Sequence, residues 1–375
     1  MQPDNLFEYN INIKVLGVGG AGSNAVNRMI DFGVAGVEYY AFNTDAQSLA
    51  MSKAKHRIQL GETTTKGLGA GGDPSRGENA AKESEKAISE LLSNTDMVFI
   101  TAGMGGGTGT GAAPVIAEMA RRQGILTVGV VTKPFVFEGP KRIRQAEEGA
   151  KKLAEHLDTL ICVPNDKLVS FVESRMSLNE AFQVVDDILR QGVQGISDLI
   201  MKPGNMNADF ADVTSILRNA GTALMGIGRG VGEHRARMAA QNAAKSKLLE
   251  TSLDGAKRVL VNFTAAEDFA IGEAYEAMEY INQFTDVDDA DITIGHVLKP
   301  EMNGEIEITL LAAGMTGNSR AKSNPNPDVF ASRPGTPQKA VTDTAVKPEA
   351  DKAGTQISPE EIDLDIPTFL RRFSR

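Results

Sequence analysis

The chain is poor in the features that mark several common function classes. It has a single cysteine, Cys162, so no internal disulfide framework can form. In the strand-like run Leu160-Ile161-Cys162-Val163 that residue reads as a small buried hydrophobe rather than a nucleophile. No apolar stretch approaches the roughly 20 residues that cross a bilayer. Met1-Gln2-Pro3-Asp4 does not open a signal peptide. A cytoplasmic protein without direct membrane insertion is therefore expected. Aromatics are 5% of residues and no basic stripe is interleaved with them, while the formal charge is −10. That balance argues against a nucleic-acid partner. There is also no Gly-x-x-x-x-Gly-Lys-Ser/Thr, which excludes the usual P-loop.

What the chain has instead is glycine at strand ends. Met97-Val98-Phe99-Ile100-Thr101 reads as a buried strand, followed by Gly105-Gly106-Gly107-Thr108-Gly109-Thr110-Gly111. A helix is expected from Ala112 to Met119, with Pro114 inside its first turn, where proline costs little. A strand, a glycine turn and a helix N-terminus gather backbone N–H groups and the positive end of the helix dipole. With few side chains in the way a polyphosphate can lie on that backbone, and Thr108 and Thr110 add hydroxyl donors. The alternative is a merely flexible loop, which rarely sits between a buried strand and a helix.

A second glycine turn, Gly17-Val18-Gly19-Gly20-Ala21-Gly22-Ser23-Asn24, follows the alternating run 11–16 and fits Gly-x-Gly-x-x-Gly in its strand-to-helix context. Alone it suits a nicotinamide-dependent dehydrogenase as well as a nucleoside triphosphatase. Asp45, after the strand expected over 37–42, is a candidate ribose acid. The second loop, with Gly67-Leu68-Gly69-Ala70-Gly71-Gly72-Asp73, offers more phosphate-facing backbone than one pyrophosphate needs.

At 375 residues with 41% apolar content, the chain can hold two domains and a tail. Strand-like runs at 11–18, 37–42, 97–101, 127–132 and 159–163 alternate with helical ones, the pattern of an open parallel sheet covered on both faces. Ser177-x-x-Glu180 is a capping box for a long central helix with Leu178, Ala181, Phe182, Val185, Ile188, Leu189 and Ile196 on its apolar stripe. Helices over 210–225 and 235–250 and strands over 258–264, 291–297 and 305–312 make a smaller α/β domain of mixed strand direction. The resulting division is a flexible start (1–10), a nucleotide-binding domain (11–176), the central helix (177–202) and a C-terminal α/β domain (203–316). The segment 317–359 holds six prolines and one aromatic, Phe330, and is expected to be a disordered linker. In 360–375, Ile366, Pro367, Phe369 and Leu370 sit between an acidic start and a basic finish. This is either a frayed terminus or a peptide that docks into a partner.

Asp209 and Asp212 lie three apart at a helix start, whose dipole favours their ionised form. They either cap that helix or polarise a water near a phosphate, in the same chain or in another. Phe182 and Asp186 lie four apart on one helix face. By periodicity alone Phe182 is simply core.

The loop Gly105–Gly111 resembles the tubulin signature. Taken in order with Gly19–Asn24, Pro164-Asn165-Asp166-Lys167-Leu168, Asn207-x-Asp209-x-x-Asp212 and Asp365-Ile366-Pro367-x-Phe369-Leu370, it resembles the FtsZ family, the bacterial tubulin homologues of the division ring. The resemblance covers residues 11–316 and the terminal peptide. It implies a GTP-hydrolysing, head-to-tail homopolymer at mid-cell, with GTP or GDP bound and Mg²⁺ held through the phosphates rather than by protein ligands. It places Gly20, Ala21, Gly22, Ser23 and Asn24 along the nucleotide and Gly107, Thr108 and Gly109 on the phosphates. Glu138 and Arg142 approach the ribose and phosphates, although 141–144 also reads as a solvated helix face. Asn165, Phe182 and Asp186 read the base, the Phe182 ring stacking on the purine while the Asp186 carboxylate accepts from the N1 and N2 donors of guanine, an edge that adenine lacks. Asn207, Asp209 and Asp212 are the catalytic set, and membrane-anchoring and regulatory division proteins take the C-terminal peptide. The reading from a different class is an NAD-dependent oxidoreductase with a Rossmann domain.

Overall fold

Six strands form the first part of a sheet: β1 (Ile13–Val18), β2 (Glu38–Asn43), β3 (His56–Gln59), β4 (Met97–Gly103), β5 (Leu126–Lys133) and β6 (Thr159–Pro164). The computed structural model describes residues 11–169, 176–202, 209–246, 253–285 and 290–315. The expected linker 317–359, the terminal peptide 360–375 and the N-terminal 1–10 lie outside the described residues, as does Asn207. These six strands are mutually parallel in the order β3-β2-β1-β4-β5-β6, as an α/β alternation dictates.

Between them run α1 (Gly19–Asp31), α2 (Ala46–Ala50), α3 (Glu62–Thr65), α4 (Pro74–Glu83), α5 (Glu85–Leu92), α6 (Thr108–Arg122) and α7 (Pro140–Ala154). Strands covered on both faces need apolar residues in both directions. Accordingly, Ile13 and Val15 join one buried cluster with α1, and Leu16 and Val18 join another with α4, α5 and α6. The one lysine of β1, Lys14, is buried but donates its ammonium to the carbonyls of Leu91 (2.7 Å) and Ser93 (3.3 Å).

After α8 (Asn165–Val169), α9 (Leu178–Met201) is opened by the expected capping box, with the Ser177 hydroxyl accepting from the Glu180 N–H. Its 24 residues run about 36 Å. Phe182 near its start meets Phe135, just beyond the C-terminal end of β5, and Met201 at its finish packs against Gly36, before β2 begins. The helix thus traverses the sheet from one edge to the other.

The remaining elements are α10 (Phe210–Leu217), β7 (Gly221–Val231), α11 (Arg235–Ala244), β8 (Arg258–Ala265), α12 (Ile271–Ile281), β9 (Asp291–Leu298) and β10 (Glu305–Ala313). β7 continues the sheet through a seam of three parallel pairs with β6, from Thr159↔Gly221 to Ile161↔Ala223. β10 runs antiparallel to both β7 and β8, while β9 is parallel to β8, so strand directions are mixed as expected.

Three sequence readings need correction here. The helix expected over 210–225 stops at Leu217, because Asn219 and Gly221 take positive φ (52° and 72°) and turn the chain into β7. The helix after the glycine loop begins at Thr108 rather than Ala112, which places Pro114 in its interior instead of its first turn. Cys162 is half-buried rather than buried.

Candidate functional site

In an open parallel sheet the ligand crevice lies beyond the carboxyl ends of the strands, where the chain leaves one strand to the left and its neighbour to the right. That point is here between β1 and β4, since β1 connects outward to β2 and β4 connects onward to β5. Both glycine-rich loops leave from these two strand ends, and they touch. A Cβ on Gly19, at φ +76°, would lie 2.9 Å from the Gly109 nitrogen. A Cβ on Gly22 would lie 2.3 Å from the Thr101 carbonyl oxygen, so α1 sits directly on β4. The third glycine segment backs the second: a Cβ on Gly107 would come within 2.7 Å of the Ala70 methyl and 3.0 Å of the Asp73 nitrogen. By contrast, a Cβ on Gly20 or Gly106 would meet nothing within 4 Å. These two glycines border open space.

Helices α1 and α6 both start at this crevice, so their first N–H groups and dipole ends face it. Thr108 opens α6 half-exposed, and its hydroxyl lies 2.6 Å from that of Thr44, a residue the sequence reading did not nominate. Thr110 is buried, and its oxygen accepts from the Gly105 N–H at 2.8 Å. It braces the loop instead of projecting from it. Ala21 and Asn24 are exposed, whereas Ser23 is buried with its hydroxyl oxygen lacking any hydrogen-bond partner. Asn165, first residue after β6, is also buried, and its Oδ1 has no partner. Buried polar atoms are nearly always satisfied, and leaving one bare costs about 1–3 kcal/mol. Both orphans belong to residues nominated from sequence to hold a nucleotide, and a bound nucleotide is the kind of group that would satisfy them. Asp45, the candidate ribose acid, is instead engaged in capping α2: its Oδ1 accepts from the N–H groups of Gln47 (2.9 Å) and Ser48 (3.2 Å).

The other wall comes from the segment after β5. Phe135 is buried, Phe137 stacks on it at 5.0 Å, and Phe182 meets it edge-on at 5.6 Å. Phe182 is 39% exposed, so the core position that periodicity suggests is not the one it takes. Glu138 accepts from the Phe135 N–H (2.8 Å) and pairs with Arg142 at 2.9 Å. One turn along α9 from Phe182, burial pushes the Asp186 carboxyl up to about 7; neighbouring Asp187 pushes the same way and Arg28 opposes both.

Asp209 and Asp212 form a reciprocal cap at the start of α10. Asp209 Oδ1 accepts from the Asp212 N–H (2.7 Å), and Asp212 Oδ2 accepts from the Asp209 N–H (3.1 Å). Both side chains are exposed. The far end of α10 is tied to the amino edge of the sheet: the Thr159 hydroxyl donates to the Leu217 carbonyl at 2.6 Å, and Arg218 donates to the Gly124 carbonyl at 3.3 Å. The glycine loops leave from the opposite edge, and the seven residues of β4 between the edges span about 23 Å. Among the described residues no group of three His, Cys, Asp or Glu side chains could hold a metal ion, and no helix is long and apolar enough to cross a membrane.

Comparison with known proteins gives two family matches. Residues 12–173 match the Tubulin/FtsZ family, GTPase domain, and residues 221–316 match the FtsZ family, C-terminal domain. Among solved structures, the chain is similar to an empty FtsZ dimer from M. jannaschii (43% identity, TM-score 0.77, covering 81% of this chain and 88% of that one). A point mutant of FtsZ from M. jannaschii gives 42% identity and TM-score 0.78 over 82% and 92% of the two chains. A GTPγS-bound protofilament of CetZ2 from Haloferax volcanii shares the fold at 21% identity, with TM-score 0.70 over 84% and 96%.

Proposed function

The chain belongs to the Tubulin/FtsZ family and is a polymerising, FtsZ-type GTPase; we propose that its polymer builds the division ring at mid-cell in the cytoplasm and that GTP is hydrolysed where two subunits meet head to tail. What supports the second part is that the glycine loops and the anchored end of α10 lie at opposite edges of one sheet. The glycine loops, with the unsatisfied Ser23 and Asn165, lie at the carboxyl edge, while the C-terminal end of α10, the helix that Asp209 and Asp212 open, is tied to the amino edge. In this reading the two sets face apart within one subunit. Stacked head to tail, one subunit's carboxylates meet the next subunit's loops.

In this reading Gly20, Ala21, Gly22, Ser23 and Asn24 line the nucleotide, and the α6 N-terminus at Gly107, Thr108 and Gly109 holds its phosphates. Glu138 and Arg142, already paired, turn toward the ribose and phosphates. Asn165, Phe182 and Asp186 take the guanine. Asp209 and Asp212, together with Asn207, orient the attacking water. The reciprocal cap engages only one oxygen of each Asp carboxylate, so capping and water activation are compatible. Mg²⁺ carried by the phosphates would offset charge developing during transfer. Phosphoryl transfer of this kind needs positioning and charge, not a covalent intermediate. The domain boundaries at 176 and 203, the 317–359 tether and a 360–375 peptide that binds membrane-anchoring and regulatory division proteins complete the proposal. The NAD-dependent oxidoreductase reading is not favoured, since the family is one of GTPases and Asp45 is engaged as a cap.

Right-angle light scattering with GTP, GDP, ATP or NAD added separately tests this. GTP alone should raise the signal, and turnover should climb more steeply than linearly with protein concentration. Linear turnover at every concentration would place the whole active site within one chain.

A further inference from the structure

Thr44 follows the last residue of β2 and is closed to solvent. Its backbone is pinned by the third glycine segment: the Thr44 carbonyl accepts from the Gly69 N–H at 3.0 Å and from the Thr65 hydroxyl at 3.2 Å. Its side chain reaches the start of α6, where its hydroxyl oxygen lies 2.6 Å from that of Thr108. β1 lies between β2 and β4, so this contact bridges the strand end from which the first glycine turn leaves. Gly19 leaves room for it, since a Cβ there would stand 3.4 Å from the Thr108 Cβ. Two hydroxyls carry two protons, and one proton lies between the oxygens. The two directions of donation are not equivalent. Among the described residues the Thr44 hydroxyl makes no other hydrogen bond. If Thr108 were the donor, the Thr44 proton would be stranded in a buried place without an acceptor, which native interiors avoid. With Thr44 as the donor that proton is used, and Thr108, half-exposed at the crevice, keeps its own for a ligand.

We propose that Thr44 is a positioning residue for the nucleotide phosphates: it donates to the Thr108 oxygen and so aims the Thr108 proton outward at a phosphate oxygen. The inference rests on the assignment of Thr108 to the phosphates. A threonine hydroxyl rotates about its C–O bond and donates in one direction only. Left alone, it can turn a lone pair toward a phosphate oxygen, and the two then repel. Once Thr44 engages that lone pair, the Thr108 proton points away from Thr44 and into the crevice. Accepting one hydrogen bond also strengthens the one the hydroxyl donates, and a bond to a charged acceptor is of the stronger kind. The orientation is set by a backbone that Gly69 and Thr65 already hold, so it precedes the arrival of nucleotide. Thr110, the other hydroxyl of the loop, is turned inward to the Gly105 N–H and offers no substitute.

The test is a double-mutant cycle read by calorimetric titration of the full-length protein with GDP and with GTPγS. Thr44→Val keeps the shape of the side chain and removes its hydroxyl, and it should weaken both nucleotides about tenfold. Thr44→Ser should recover wild-type affinity. Thr44→Ala, smaller and also without the hydroxyl, carries the same expectation as Thr44→Val and guards against an effect of the valine methyl. Thr108→Val should weaken binding at least as much. Thr44→Val added to Thr108→Val should then cost nothing further, because no hydroxyl remains to be oriented. Losses that add in the double variant would overturn the proposal, since a merely structural Thr44 would displace the loop whether or not residue 108 carries a hydroxyl. Wild-type affinity in Thr44→Val, with Thr108→Val weak, would also overturn it while leaving Thr108 on the phosphates. Wild-type affinity for both nucleotides in Thr108→Val would remove the phosphate assignment of that side chain and the role of Thr44 with it.

Discussion

Gly106 and Gly107 are neighbours in the chain and opposite in role. A side chain at Gly107 would strike Ala70 and the Asp73 backbone, whereas one at Gly106 would project into open space at the crevice. Gly106→Val should therefore abolish GTP binding while leaving stability within about 0.5 kcal/mol of wild type. Gly107→Val should lose about 1–3 kcal/mol as well, from overpacking between two loops. Thermal melts paired with calorimetric GTP titrations separate the two effects, and unimpaired binding in Gly106→Val would show that the open space is not where the nucleotide lies. Asp186 makes a different prediction. Its folded-state value is raised to about 7, well above the unfolded value near ~4. The folded chain thus holds that proton more tightly than the unfolded one. The resulting stability is complete below pH ~4 and is lost as pH rises through ~7. Denaturant unfolding of nucleotide-free protein should show this decline, and Asp186→Asn should lack it; parallel curves for the two proteins would refute it. The glycine positions were readable in the sequence because backbone chemistry at a strand end is local. The partnerless Ser23 and Asn165 oxygens and the exposure of Phe182 were not, since each depends on what a distant segment places beside it.

The longer elements were legible wherever burial and periodicity agreed. All five strands expected before residue 170 form, and the Ser177 capping box opens α9 as its residues specify. Two failures have different causes. Val213, Leu217, Ala220 and Leu224 repeat with helical spacing, yet Leu224 belongs to β7, whose run Ala223 to Gly226 is buried throughout. A strand buried on both faces loses the alternation that would distinguish it from a helix. β3 carries only one apolar residue, Ile58, in His56–Gln59, so an edge strand was invisible. Further along, α11 and α12 are joined by a clip that no local pattern reveals. Arg235, buried, donates to Glu273 (2.7 Å) and Asp268 (2.6 Å), and its hydrogen bonds hold both carboxyls below the usual carboxylate range. Groups so depressed add stability above their unfolded values near ~4 and lose it as pH falls through the lower folded ones. Arg235→Met should cost about 3 kcal/mol at pH 7, by leaving two carboxylates without their cation. The gap between variant and wild type in urea unfolding should narrow as pH approaches ~3. A gap that holds constant with pH would assign the loss to packing alone.

The order β3-β2-β1-β4-β5-β6 puts the two glycine-rich loops at one edge of the sheet, and α9 runs from that edge toward the other. Sequence spacing could show that both sets exist but not how they are disposed, because that depends on how far a 24-residue helix carries the chain. In the proposed head-to-tail arrangement each subunit is half of two active sites. Complementation follows directly. Asp212→Ala keeps the loops and lacks one carboxylate, so it should bind GTP and assemble but turn over very slowly. Gly106→Val keeps both carboxylates and offers no room for nucleotide, so it should be inactive alone while retaining its fold. In a mixture, a Gly106→Val subunit presents Asp209 and Asp212 to the GTP held by an Asp212→Ala neighbour and completes that site. Phosphate release from the mixture should exceed the sum of the separate proteins and peak near equal proportions, where unlike neighbours are most frequent. A mixture that merely adds its parts, with Gly106→Val shown by sedimentation to enter the polymer, would mean that the water is positioned from within the chain that binds the nucleotide.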